Sequence, residues 1–116
     1  MRVVLREPAE GRRVGGVLRD LSARGMSALL GKEDEWVLAA AQVLDVEFFL
    51  PTHPVLLRFR ADVRHRRLER TAVHYGMRFD AQAEGFGDAQ EAVKAYVVER
   101  QRAMLRRIDP GTPNVA

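Results

Sequence analysis

In the run "GVLRDLSARGMSALL" an acid, a hydroxyl and a glycine (Asp20, Ser22 and Gly25) stand at fixed offsets between two apolar runs. A carboxylate accepts hydrogen bonds, a hydroxyl both donates and accepts them, and a glycine lets another group pass close to the backbone. That is the equipment of a small polar binding site. It is also the equipment of a turn, because Asp and Ser bond to their own backbone a residue or two ahead and Gly accepts unusual dihedrals without steric cost.

The remaining chemistry-bearing residues do not add up to catalysis. His53, His65 and His74 lack H-x-x-x-H spacing and any neighbouring acid cluster, so no metal site is expected, and His65 and His74 read as partly exposed strand residues. Ser22 is not in a G-x-S-x-G turn, and neither a G-x-x-x-x-G-K loop nor G-x-G-x-x-G occurs. With no cysteine, disulfides, thiol nucleophiles and thiolate metal sites are excluded together. The chain reads as a binding protein rather than an enzyme, with no cofactor.

Length and composition describe what must position such a site. A chain of 116 residues, 47% hydrophobic and 30% charged, makes one globular domain with its own core. Even apolar runs such as Val37 to Ala41 are far short of the roughly 20 residues that span a bilayer. No secretory signal is visible in "MRVVLREPAEGRR", which makes the cytoplasm the expected location. Of 19 cationic side chains only Lys32 and Lys94 are lysines. Guanidinium forks suit phosphates and guanine edges, although the arginines are spread along the whole chain.

Short strands fill the first two thirds. "RVVLREP" and "RRVGGVLRD" form a hairpin, with a bulge or a close backbone approach expected at Gly15 and Gly16. "MSALL" is a third strand, "GKEDEWVLAAAQ" a loop with a turn of helix, and "VLDVEFFLP" a fourth strand closed by a proline turn. In "VLLRFRADVRHRR" Leu57, Phe59, Ala61 and Val63 alternate with polar residues, so that Arg58, Arg60, Arg64 and Arg66 form an outward cationic row. "VHYGMRF" returns beside it with Val73, Tyr75, Met77 and Phe79 on one face. Six short strands imply a small barrel or sandwich, and the barrel is the expected architecture, since closure hides the edges. A helix starts at Asp88 as its N-cap, after a flexible "GFG" lead, with Val93, Tyr96, Val97, Met104 and Ile108 on one stripe. The domain extends over 1–109, and 110–116 form a frayed tail. A polynucleotide groove is disfavoured, because the aromatics that could stack on bases belong to the core.

The order of these pieces resembles the PilZ domain, the bacterial receptor module for cyclic di-GMP. The most specific parts are "RDLSARGMSALL", similar to the family's [D/N]-x-S-x-x-G element, and "YGMRF", similar to its Gly-x-x-Phe strand. The closing helix "AVKAYVVERQRAMLRR" resembles that of YcgR-like flagellar-brake proteins. The resemblance implies an all-β-dominated fold, a six-stranded antiparallel barrel with one C-terminal helix, and assigns Asp20, Ser22 and Gly25 to the nucleotide. A carboxylate there would accept from guanine N1 and N2, and a protein partner in motility or exopolysaccharide machinery would receive the signal. The family's second element, R-x-x-x-R upstream of the first strand, is not matched within this sequence: either it lies outside this chain or the protein never had one. Arg2 and Arg6 have the spacing but read as first-strand residues. Two hydrogen bonds to charged groups are worth about 3 to 6 kcal/mol, about a hundredfold or more in affinity. The alternative expectation is therefore a PilZ-like adaptor that works without nucleotide, docking through its helix.

Overall fold

The computed structural model describes residues 1–51 and 53–108. Six strands, β1 (Arg2–Arg6), β2 (Arg13–Leu21), β3 (Gly25–Gly31), β4 (Val43–Phe48), β5 (Leu57–Glu69) and β6 (Ala72–Phe79), close into an antiparallel barrel in the order β1-β2-β3-β6-β5-β4. A one-turn helix α1 (Lys32–Glu35) follows β3, and the long helix α2 (Phe86–Ile108) ends the fold. Antiparallel pairing of β1 with β4 closes the ring and leaves no open edge.

Alternation explains the interior. Val3 and Leu5, Met26, Ala28 and Leu30, Leu44, Val46 and Phe48, and all four expected residues of β6 are buried. Phe59 lies at the centre of an aromatic stack, 3.8 Å from the Phe79 ring centroid and 6.0 Å from that of Phe48. Such parallel contacts add to the area each ring removes from water. One end of the barrel is covered by α1 and the segment after it. Leu38 is fully buried there, Tyr75 donates its hydroxyl to Glu35 at 2.6 Å, and Arg66 donates to the Leu38 carbonyl at 3.0 Å.

The helix begins earlier than its sequence suggests. Asp88, expected as the N-cap, lies within the first turn of α2, and Phe86 and Gly87 of the "GFG" segment are helical rather than a flexible lead. Phe86 is drawn into the helix because its ring packs edge-on against Phe59 at 6.1 Å. Ala89 and Val93 are buried against the barrel and Tyr96 and Val97 partly so, but Met104, on the expected stripe, is exposed together with Leu105. The side chain of Ile108, the expected domain end at 109 and the tail 110–116 lie outside the described residues. Among the described residues no helix is long and apolar enough to cross a membrane.

The glycine pair on β2 makes a close approach and no bulge. Gly15 and Gly16 pair in register with Val4 and Val3, while a Cβ on Gly16 would stand 2.8 Å from the Leu29 carbonyl oxygen. The irregularities fall elsewhere, between Leu18 and Asp20 on β2 and between Val63 and His65 on β5. Both bulges decide which side chains face the site.

Candidate functional site

Ser22 builds a turn. Its Oγ accepts from the backbone N–H groups of Arg24 and Gly25, each at 3.2 Å, and its own N–H donates to the Gly25 carbonyl at 2.9 Å. Gly25 is required by a close approach, because a Cβ there would collide with the Met77 carbonyl oxygen of β6. Helix α2 holds the same turn from the side, through Gln90 Nε2 donating to the Ala23 carbonyl at 3.0 Å.

Asp20 owes its direction to the first bulge. Val14 and Leu18 point inward on β2, and continued alternation would turn Asp20 into the core. Arg19 is the extra residue between Leu18 and Asp20, so Asp20 faces outward opposite Ser27, whose hydroxyl donates to Asp20 Oδ2 at 3.0 Å. The second bulge acts in the same way. Leu57, Phe59 and Ala61 face inward on β5, Arg64 is the extra residue, and His65 consequently turns outward opposite Gly76.

Between the two bulges lies an open groove of about 560 Å³ on the outer face of β2, β3, β6 and β5. Asp20, Ser22 and Gly25 line one side, with Arg64, His65 and Arg78 among the residues of the rest. The three motif residues are thus brought together in one cavity, within the usual 300–1,000 Å³ range of small-molecule sites. Among the described residues, Arg24, Arg64 and Arg78, all lining the groove, make no ion pair within 4.0 Å.

The expected row of arginines is split by the bulge. Arg58 pairs with Glu47 at 2.8 Å and Arg60 with Asp45 at 2.9 Å, on a different part of the surface. Arg66 leaves the row, though it keeps part of its surface in solvent. The shifted phase lays its guanidinium 4.8 Å over the Tyr75 ring, and it donates to the Leu38 and Ala41 carbonyls. Arg64 alone of the four enters the groove. The reading of Arg2 and Arg6 as β1 residues matches the structure, and Arg6 is engaged by Asp45 at 3.1 Å.

His74, expected to be partly exposed, is buried at 8% exposure. Arg67 and His65, neighbours on the shifted half of β5, account for this: Arg67 pairs with His74 across the strands, and His65 Nε2 lies 3.3 Å from His74 Nδ1. The imidazoles are within 12° of parallel. Burial pushes the His74 imidazole below its ordinary value, with Arg67 adding to the effect and Glu69 opposing it. His65 itself remains exposed, its ring lying over Gly76, where a Cβ would stand 2.5 Å from Nε2 and 2.7 Å from Nδ1. His53 sits apart, in the proline turn, beside the Val55 carbonyl. Among the described residues no group of three or more potential ligands could hold a metal ion.

The groove residues that sequence reasoning missed, Arg24, Arg78 and the histidine pair, carry no spacing signature. The break of alternation in "DVRHRR" was the one visible trace of the bulge that turns His65 outward.

The profile of the PilZ domain matches residues 1–98. The chain belongs to the PilZ family. Members are receptors and signalling modules for cyclic di-GMP. Among solved structures, this PilZ chain is similar to Escherichia coli YcgR in complex with c-di-GMP, with TM-score 0.69, 17% identity, and coverage of 96% of this chain and 46% of that one. It is also similar to the isolated PilZ domain of E. coli YcgR with c-di-GMP, with TM-score 0.65, 16% identity, and coverage of 93% and 87%. At these identities the likeness establishes the shared barrel, and this chain spans less than half the length of intact YcgR. No curated protein matches the sequence.

Proposed function

We propose that this PilZ chain is a cytoplasmic receptor that takes up c-di-GMP in the groove at Asp20, Ser22 and Gly25 and relays the signal to a protein partner in motility or exopolysaccharide machinery. The observation that carries this reading is the company the motif keeps: Asp20 shares its groove with Arg24, Arg64 and Arg78. A carboxylate for the guanine edge beside three guanidinium groups for the phosphates is a complementary set for a cyclic dinucleotide. Within this chain, Arg24, Arg64 and Arg78 are the groove arginines available to the phosphates. Ser22 and Gly25 contribute mainly by fixing the turn and keeping the backbone close, and Asp20 offers the ligand its charge.

Isothermal titration with c-di-GMP tests the reading. The expected result is saturable binding that weakens at high salt, as phosphate contacts with exposed arginines do. Asp20→Ala and Arg64→Ala are each expected to cost about 1.5 to 3 kcal/mol, about tenfold or more in Kd. Absence of heat at high micromolar ligand removes the reading.

One observation favours the alternative, an adaptor that acts without nucleotide. Arg6 is committed to Asp45, and the exposed Met104 and Leu105 on α2 offer apolar surface to a partner. In that case the titration is silent, while partner capture depends on α2 alone.

A further inference from the structure

The groove contains one feature that the motif and the arginines leave unused. Its lining includes two rings, the imidazoles of His65 and His74, whereas Tyr75 and Phe79 point into the barrel. His74 is buried and unavailable to a ligand's face. His65 is exposed, and three circumstances fix its ring. The bulge at Arg64 turns it outward, the missing side chain of Gly76 gives the ring a seat on the sheet, and the 3.3 Å contact with His74 Nδ1 holds it from the side. A flat ring laid on a sheet with its other face toward an arginine-lined groove is a stacking surface, and stacking tolerates any purine because it reads the face rather than the edge.

We propose that His65, seated on Gly76 and tied to His74, is the platform on which a guanine base of the bound nucleotide stacks. This rests on the reading of the groove as a c-di-GMP site. It assigns His65 a stacking role toward the guanine base, and it makes His74 a positioning residue. It also explains Gly76 physically: any side chain there displaces the ring. Other charged groups around the pair are Arg64, Arg67 and Glu69 on β5, Arg19 and Asp20 on β2, Arg24 in the turn and Arg78 on β6. Burial, and Arg67 after it, hold His74 toward its neutral form.

The test is titration of the full chain with c-di-GMP in four forms: unaltered, His65→Ala, His65→Phe and Gly76→Ala, with a thermal melt of each to show that it is folded. Loss of one base-stacking contact predicts about 5- to 150-fold weaker binding for His65→Ala. Phe preserves the flat face and is expected to stay within about threefold of the unaltered chain. Gly76→Ala is expected to weaken binding as His65→Ala does, by pushing the ring aside. In NMR spectra, the His65 ring protons are expected to move upfield on ligand addition. Equal affinity of the unaltered and His65→Ala chains overturns the platform while leaving the nucleotide site standing. Phe as weak as Ala overturns it too, since only the polar edge then matters. If the unaltered chain binds no c-di-GMP, the underlying reading fails and the platform falls with it.

Discussion

Protonating an imidazole is disfavoured when the ring is buried beside arginines, and His74 is in that position. Burial lowers its pKa first, Arg67 lowers it further, and Glu69 compensates in part. The unfolded chain therefore takes up a proton near the ordinary value of 6.5 while the folded chain resists it. Stability is full above that value and declines as pH falls through it, levelling off once the folded form is protonated as well. Urea denaturation at about pH 7.5 and about pH 5 is expected to give a lower midpoint at the acid end. In His74→Gln that part of the difference should vanish. An acid loss unchanged in the variant would place its origin in the carboxylates instead. The same residue shows what single positions withheld from the sequence. His74 sits one place off the inward face, and alternation alone reads such a residue as solvated. Its burial comes from His65 and Arg67 arriving on the neighbouring strand one residue out of phase.

At the scale of strands, two bulges convert an ordinary barrel wall into a groove. Each inserts one residue, Arg19 or Arg64, and each reverses the alternation beyond it. The number of strands and the inward rows of β6 and of β5 as far as Val63 were legible, because hydrophobic period and turn residues are local properties. The phase shifts were not, because a bulge is stabilised by what the partner strand presents, here Ser27 to Asp20 and Gly76 to His65. The two glycines on β3 and β6 consequently have different meanings. A Cβ at Gly25 meets the backbone of Met77, which cannot move without disturbing β6, whereas a Cβ at Gly76 meets a side chain that can swing into solvent. Gly25→Ala is expected to cost about 1 to 3 kcal/mol in chemical denaturation, and Gly76→Ala about 0.5 kcal/mol or less. Equal costs would mean that the His65 ring is as immovable as the backbone. On the barrel end, Tyr75→Phe removes the 2.6 Å bond to Glu35 and is expected to destabilise by about 0.5 to 1.5 kcal/mol, since the carboxylate keeps Arg66 at 3.9 Å.

For the whole molecule, the decisive relation is between the barrel and α2. Every helix residue packed on the core, from Phe86 through Val97, lies within the 1–98 stretch that matches the family. Gln90 adds a direct tie to the turn that carries Ser22. Beyond Val98 the helix makes looser contacts: Arg100 bonds to Tyr96 within the helix at 3.0 Å, and Met104 and Leu105 are 56% and 65% exposed. The helix was legible in the sequence from its apolar stripe, though not its start, and how far it stays seated was not, since an apolar stripe has the same spacing whether it faces a barrel or a partner. A chain ending at Val98 should therefore fold, losing less than about 1 kcal/mol and melting within about 8 °C of the full chain. Its c-di-GMP affinity should be unchanged, because no groove residue is removed. A truncated chain that fails to fold would show that the distal helix is part of the core. One that folds but no longer binds the nucleotide would move part of the site onto α2.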